Sequence, residues 1–135
     1  MNNKMSWALL LAYCGTVQAA GWVSIGKSAI HENFVDASSV KVAGATRQAW
    51  IKMVFLPHTQ RGDGENAERW VTRDVARYAF DCEKELYRAE AIIEYYEDGS
   101  NFPISSYRFP QPWDPVPPDS TARAEMQFVC TWKAQ

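Results

Sequence analysis

The residues that most often catalyse reactions or bind metals are few in this chain and lie far apart. His31 and His58 are the only histidines, and neither has a second ligand at a spacing that zinc sites use. We interpret both as surface histidines and predict no metal site. Glu90 and Glu94 share one face of a predicted strand, but a separation of about 13 Å exceeds the carboxyl spacing of glycosidases. We therefore interpret them as solvated charges.

Motifs for covalent or phosphate chemistry are missing from the sequence as well. No serine stands in a nucleophile elbow, and no glycine-rich stretch opens a helix. No set of a nucleophile, a general base and a residue that orients the base can be assembled from this sequence. We therefore identify no candidate catalytic residues. The sequence predicts a binding protein that is not an enzyme and has no cofactor.

One triplet has the form of a recognition motif. Arg61-Gly62-Asp63 lies in the polar loop 57–68, and an exposed Arg-Gly-Asp is the tripeptide that integrins bind. In that chemistry the carboxylate reaches a metal ion and the guanidinium reaches an acidic pocket. A glycine-rich turn contains the same residue types for conformational reasons. The sequence leaves both interpretations open, an integrin-binding loop and an ordinary turn.

The first nineteen residues have the features of a secretory signal peptide. Lys4 precedes an apolar stretch over 5–13, and the small-residue pattern Val17-Gln18-Ala19 ends the segment. We predict that residues 1–19 are cleaved and that residues 20–135 form a single domain. The apolar stretch is about half of the roughly 20 residues that a membrane-spanning helix needs, so we expect no transmembrane anchor.

A second interpretation of this segment rests on Cys14. The sequence Leu11-Ala12-Tyr13-Cys14-Gly15 approaches the bacterial lipobox, in which the cysteine becomes the lipidated N-terminus. Tyr13 stands where the signal peptidase requires a small residue. Two alternatives therefore stay open: a mature chain without lipid that begins after Ala19, and a lipoprotein attached through Cys14.

Composition and charge exclude another class of protein. Of the 135 residues, 47% are apolar and 22% are charged, as in an ordinary globular domain. The formal net charge is -2, and no basic run of five or more residues occurs. Because nucleic-acid binders cluster lysine and arginine against phosphates, we expect no nucleic-acid partner.

Alternating apolar and polar residues predict an antiparallel meander of about five to six strands. The predicted strands are 22–27, 30–36, 46–56, 70–82, 86–97 and a returning segment over 102–109. Strand 46–56 is apolar on both faces, which permits a homodimer. The prolines between 110 and 118 lack a backbone donor, so we expect no ladder pairing there.

A C-terminal helix of about three turns is predicted after these prolines, capped by Asp119 or Ser120 and running to Trp132. Its apolar stripe includes Cys130, and the core-facing positions of the sheet include Cys82. In an oxidising compartment such a pair most often forms a disulfide. We therefore predict an α+β fold in which a Cys82–Cys130 bond ties the helix to the sheet.

Several short segments, taken in order, form a recognisable set. They are Phe34-Val35-Asp36-Ala37-Ser38-Ser39-Val40, then Phe80-Asp81-Cys82 followed by Tyr87-Arg88, then Trp113-Asp114-Pro115-Val116-Pro117-Pro118-Asp119-Ser120, and finally Val129-Cys130. In order and spacing the set resembles the bacterial surface-adhesin protein E family over nearly the whole mature chain. Ala37 departs from the pattern, because a proline is usual after the aspartate.

The resemblance implies a disulfide-tied sheet and helix, a homodimer, and export to the Gram-negative envelope, either the periplasm or the outer-membrane surface. Members of the family resemble adhesins that bind host matrix and plasma proteins such as vitronectin and laminin, and haem binding is attributed to the family. We expect an envelope binding protein that uses an exposed sheet face or the loop 57–68. The alternative is a periplasmic accessory protein that holds a haem-like ligand among Trp50, Tyr78 and Tyr95 and has no host partner.

Overall fold

Residues 21–133 are described by a computed structural model, which has an antiparallel sheet with one C-terminal helix packed against it. The predicted signal peptide and Cys14 lie outside the described residues. The α+β class is confirmed. Within the described range the sheet has eight strands, more than the predicted five to six, because two short segments, Lys41–Ala43 and Asp114–Pro115, also pair with it.

The strands, in chain order, are β1 Trp22–Lys27, β2 His31–Asp36, β3 Lys41–Ala43, β4 Thr46–Phe55, β5 Val71–Asp81, β6 Leu86–Tyr96, β7 Asn101–Pro103 and β8 Asp114–Pro115. The helix α1 is Thr121–Thr131. The main strand order is β1-β2-β4-β5-β6-β7, with β3 beside β4 and β8 beside β6. Each pair is antiparallel, so the predicted meander is confirmed.

The strands β2 and β3 act as one interrupted neighbour of β4. Val35 of β2 pairs with Ile51, and after a single 3-10 turn Lys41 of β3 pairs with Gln48. Asp36 stabilises this turn, because its Oδ1 accepts hydrogen bonds from the backbone N–H and the hydroxyl of Ser38. The matched Asp36-Ala37-Ser38 segment is therefore a structural capping motif.

Two predictions near the C-terminal part of the sheet are wrong. The returning segment 102–109 forms strand pairs only up to Pro103, followed by one hydrogen bond from the Ile104 N–H to the Ile92 carbonyl. Pro115, which was expected to be outside the sheet, lies in β8 opposite Leu86. An edge position requires no donor from proline, and the next residue, Val116, donates its N–H to the carbonyl of Glu85.

The helix α1 covers one end of the sheet. The hydroxyl of Ser120 accepts from the Arg123 N–H at 3.1 Å, so the helix begins with the predicted cap. The fully buried core joins Val35 and Phe80 of the sheet to Val129 of the helix. The Cys82–Cys130 disulfide is present, with 5.8 Å between the two Cα atoms. The bond ties helix to sheet as predicted.

An irregularity between β5 and β6 reverses the alternation of β6. Arg77 pairs with Ala91 and the next residue, Tyr78, pairs with Ala89, so that Glu90 is an extra residue in a β-bulge. Side chains before and after Glu90 therefore exchange faces relative to a regular strand. The sequence pattern treats 86–97 as one uninterrupted alternation and assigns part of it to the wrong face.

Candidate binding surfaces

The sheet has one face under the helix and one face that the helix does not touch. Ala49 and Ile51 of β4 are each 1% exposed and pack toward α1. Trp50, which lies between them, and its cross-strand partner Arg77 point to the other side, because side chains alternate along a strand. We call this second side the open face.

Cationic and aromatic side chains are interleaved on the open face. The cations are Lys41, Lys52, Arg73, Arg77 and Arg88, and the aromatic residues are Trp22, Phe34, Trp50, Tyr95 and Trp113. The residues come from six strands and from the segment before β8, so only the assembled sheet brings them together. The strand alternation around residues 73 and 77 is the only part of this pattern that is visible in the sequence.

The rings and the cations are in direct contact. The Lys52 ammonium lies 4.4 Å from the centre of the Trp22 ring and 4.9 Å from that of Phe34. The Arg88 guanidinium lies 4.4 Å from the centre of the Trp113 ring. These distances are within the range of cation–π attraction, so each ring holds its cation against the sheet.

Two further stacks continue the pattern across β4, β5 and β6. Arg73 lies 4.0 Å from the centre of the Tyr95 ring, and Arg77 lies 5.8 Å from that of Trp50. A guanidinium that stacks on a ring keeps its N–H edge directed outward in the ring plane. Stacking therefore fixes the position of each guanidinium and leaves its N–H groups able to donate hydrogen bonds.

The donors of these cations have no partner within residues 21–133. Lys52, Arg73, Arg77 and Arg88 form none of the ion pairs in this part of the chain. The Nε atoms of Arg77 and Arg88 are buried and donate no hydrogen bond. A buried donor without a partner is costly in a folded protein, so neither Nε atom stabilises the sheet through a hydrogen bond.

The two carboxylates beside this group are already engaged by other residues. Glu32 pairs with Lys27 at 3.7 Å and accepts from the hydroxyl of Ser24. Glu90, at the bulge, accepts from the Gln48 amide at 2.6 Å. Neither forms an ion pair with Arg73, Arg77 or Arg88. The five cations therefore outnumber these two carboxylates, although the chain has a formal net charge of -2.

A small cavity lies at the β3 side of the open face. Its volume is about 110 Å³. The lining includes Lys41 and Arg77 as cations, Trp50 as the wall, and the polar side chains of Gln48 and Ser39. Lys41 of β3 and Arg77 of β5 both line this space, which suits it to one compact anionic group.

The Arg61-Gly62-Asp63 triplet lies at one end of the sheet and is held by the protein's own groups. The Arg61 guanidinium lies 3.5 Å from the centre of the Trp70 ring and donates to the carbonyl of Glu68. The Asp63 carboxylate accepts from the Ser106 hydroxyl. A side chain at position 62 would meet the Asn66 carbonyl oxygen at 2.3 Å, so glycine is required there. The turn interpretation has a physical basis, and integrin binding stays a prediction.

The buried carboxylate of Glu94 anchors this loop to the sheet, beside the half-buried Asp74. Glu94, 4% exposed, accepts from the Asp63 N–H at 3.0 Å and from the Tyr96 hydroxyl at 2.6 Å. Its cross-strand partner is Asp74, whose Oδ1 is buried without a hydrogen bond. Burial, and then the nearby charge of Glu94, raise the pKa of Asp74 to about 7.

The interpretation of Glu90 and Glu94 as solvated charges on one face is wrong. The bulge at Glu90 directs that side chain to the open face, whereas Glu94 is buried on the opposite face. Hydrogen bonds from the loop and from a tyrosine satisfy Glu94 there. A sequence pattern contains no signal for a carboxylate whose partners come from a distant loop.

The two histidines contact different neighbours. The ring of His31 makes an edge contact with Phe55, with 5.8 Å between ring centres. His58 is exposed, and its Nε2 lies 2.6 Å from a carboxylate oxygen of Glu97. Among the described residues, no group of three or more potential ligands forms a metal site.

The three aromatic residues suggested for a haem-like ligand do not form a common pocket. Tyr78 is on the helix side, where it stacks on Tyr87 with 6.1 Å between ring centres. Trp50 and Tyr95 are on the open face, each beside an arginine. The expectation of a site among the three is wrong, because alternation along the strands separates them.

Within the described residues, no helix is long and apolar enough to span a membrane. The fold and the open face together define a small α+β binding domain. The profile of the surface-adhesin protein E family matches residues 22–131. The chain therefore belongs to the surface-adhesin protein E family, which indicates a surface adhesin exported to the cell surface.

Solved structures agree with this assignment at the level of the fold. Haemophilus influenzae protein E is similar with a TM-score of 0.58 and 13% sequence identity, covering 84% of this chain and 86% of that chain. Protein E from non-typeable Haemophilus influenzae has a TM-score of 0.55 and 13% identity, covering 86% of this chain and 79% of that chain. No curated protein is significantly similar in sequence.

Proposed function

We propose that this protein is an envelope-exposed adhesin that binds host matrix or plasma proteins through the open face. The observation that supports the proposal most strongly is the set of ring-held cations whose donors have no partner within residues 21–133. Membership of an adhesin family supplies the class of partner. The alternative is a periplasmic protein with a haem-like ligand. It is less well supported, because Tyr78 lies on the opposite side of the sheet from Trp50 and Tyr95 and the three cannot form one pocket.

Binding of the mature protein to immobilised vitronectin and laminin tests this function. The informative variant is Arg73→Gln/Arg77→Gln/Arg88→Gln, which removes three cations from the open face. The matched control, Lys84→Gln/Arg108→Gln/Lys133→Gln, removes three exposed cations elsewhere. We expect the first variant to lose at least tenfold in affinity and the control to lose less than twofold. Absence of binding by the unaltered protein to any matrix or plasma protein would refute the proposal.

The location of the protein is tested separately on intact cells. If the protein is exposed at the surface, external protease removes it while a periplasmic marker remains intact. Protection from the protease would support the periplasmic alternative instead.

The proposed N-terminus is tested by mass spectrometry of the protein from envelope fractions. We propose that residues 1–19 are a signal peptide, so the mature mass is that of a chain beginning at Ala20. A mass that corresponds to diacylglyceryl-modified Cys14 would replace the unlipidated chain with a lipoprotein.

A further inference from the structure

We infer that the open face binds a linear sulfated polysaccharide, of the kind attached to matrix proteoglycans. The inference rests on the proposed function, because it identifies the ligand chemistry of the same surface. It depends on three properties of this face: the placement of the cations, the state of the aromatic rings, and the cavity beside Trp50.

The cations form a two-dimensional array on the sheet. Lys41 and Arg88 lie on the same cross-strand row, because Gln48 and Ala79 connect them as successive partners. With strands about 4.8 Å apart, three intervals separate their backbones by roughly 14 Å. Arg77 lies one row away, diagonal to Arg88. An array of this width is matched by an extended polymer with many anionic groups and exceeds a single compact ion.

Guanidinium groups determine which anion is favoured. Arg73, Arg77 and Arg88 each present a planar set of donors, which suits the oxygens of sulfate and carboxylate groups in bidentate geometry. The buried Nε atoms of Arg77 and Arg88 lack an acceptor. Because those atoms are enclosed by the protein, a sulfate group would contact the terminal N–H groups of the guanidinium, which form no hydrogen bond or ion pair within residues 21–133.

The state of the rings argues against single-stranded nucleic acid. Proteins that bind it stack successive bases on free aromatic faces. Here a cation already lies over one face of Trp50, Tyr95 and Trp113, and a base would have to displace that cation to stack there. A linear sulfated polysaccharide contacts the cations themselves and requires no such displacement.

The cavity of about 110 Å³ supplies a place where one group of the polymer is held more closely. Lys41 and Arg77 carry the charge, and Gln48 adds an amide whose other contact is Glu90. A sulfate in this space would be surrounded by donors from β3, β4 and β5. Substitution of Lys41 should therefore weaken binding of a sulfated chain more than substitution of an equally exposed lysine outside the cavity.

The experiment measures binding of the mature protein to heparin, to desulfated heparin and to a single-stranded oligonucleotide of equal charge. We expect the unaltered protein to bind heparin at least tenfold more tightly than the other two. The Arg73→Gln/Arg77→Gln/Arg88→Gln variant should lose at least tenfold, and its affinity should depend less steeply on salt because fewer counterions are displaced. The Lys84→Gln/Arg108→Gln/Lys133→Gln control should bind as the unaltered protein does.

A second comparison uses single substitutions, which disturb the fold less than the triple variants do. Lys41→Gln is the test variant and Lys84→Gln is its control. We expect a loss of about threefold to tenfold for Lys41→Gln, as for one charged contact, and no change for Lys84→Gln. Thermal unfolding of every variant checks that the fold is intact, and single-point variants replace any triple variant that fails to fold.

Several outcomes would overturn the inference. They are no heparin binding, equal binding of heparin and desulfated heparin, equal loss in both triple variants, tighter binding of the oligonucleotide, and a dimer that dissociates when the open-face arginines are replaced. If vitronectin or laminin still binds in these cases and the open-face arginine variant weakens that binding, the proposed function stands and only the polysaccharide is refuted. If heparin binds but no matrix or plasma protein does, the proposed function fails and the polysaccharide site stands.

Discussion

The two faces of the sheet satisfy their polar and charged groups in different ways. On the helix side, Asn33 donates to Glu125 at 2.6 Å inside a core closed by α1 and by the disulfide. On the open face, Arg77 and Arg88 lie on aromatic rings, and their donors have no partner within residues 21–133. Since both faces belong to the same strands, the difference comes from what each one packs against.

This comparison separates residues that stabilise the fold from residues that are available for binding. Substitutions under the helix should change the free energy of unfolding and leave ligand affinity intact as long as the protein is folded. Substitutions on the open face should do the reverse. The following predictions test that separation, beginning with the largest expected effect.

Removal of the disulfide should have the greatest effect on stability. The variant Cys82→Ala/Cys130→Ala opens a loop with a sequence separation of 48 residues, and restriction of such a loop in the unfolded chain is worth about 4 kcal/mol. Urea unfolding at neutral pH measures the loss. Affinity for vitronectin or laminin, measured where the variant is folded, should be unchanged. If the folded variant has a lower affinity than the unaltered protein, helix packing also influences the structure of the open face.

The half-buried acid Asp74 should make the protein less stable as the pH rises. Its folded pKa of about 7 lies above the ordinary aspartate value of 3.8, so between these pH values the folded state binds more protons than the unfolded state. The contribution of Asp74 is therefore fully present below about pH 4 and is lost by about pH 7.

The variant Asp74→Asn removes this dependence without a large change of shape. We expect it to raise stability at pH 8 by about 2 kcal/mol and to flatten the decline between pH 4 and 7. Burial also raises the pKa of Glu125 to about 7. The part of the fall in stability that Glu125 causes should therefore remain in Asp74→Asn. Asp114→Asn, at an exposed position, serves as the control. An unchanged pH profile in Asp74→Asn would contradict the assignment.

The loop beside Glu94 should have an intermediate effect. Ser106→Ala removes the hydroxyl that donates to Asp63, and we expect a loss of about 1 kcal/mol in urea unfolding. The same variant releases the Asp63 carboxylate, so it should increase integrin-dependent cell attachment if the Arg61-Gly62-Asp63 triplet is functional. Asp63→Glu should then abolish attachment. Attachment that responds to neither variant would dismiss the integrin prediction.

A single substitution on the open face should have the smallest effect on stability. Arg88→Gln removes one cation–π contact with Trp113, worth about 0.5–1 kcal/mol at such a position, and relieves a buried donor that has no acceptor. We expect the two effects to nearly cancel in urea unfolding. Destabilisation by more than about 2 kcal/mol would mean that Arg88 is part of the structural core.

The sequence pattern predicted the regular elements well and the irregular ones poorly. The strands follow from the alternation of apolar and polar residues, and the cap at Ser120 follows from the local helix-start pattern. The Cys82–Cys130 bond follows from the core-facing positions that each cysteine has within its own segment. The bulge at Glu90 does not, because one extra residue in a ladder is defined by the neighbouring strand. The burial of Glu94 was missed for a related reason, since its hydrogen-bond donors come from Asp63 and Tyr96.

The sequence by itself determined the α+β class, the disulfide and the resemblance to an adhesin family, because local periodicity and ordered short motifs carry that information. Only the tertiary structure decided that Trp50 and Tyr78 lie on opposite faces, and that cations from β3, β4, β5 and β6 form one array. Strand register and the bulge determine which side chains share a face. Register is a relation between segments distant in the chain, and no single segment of the sequence contains it.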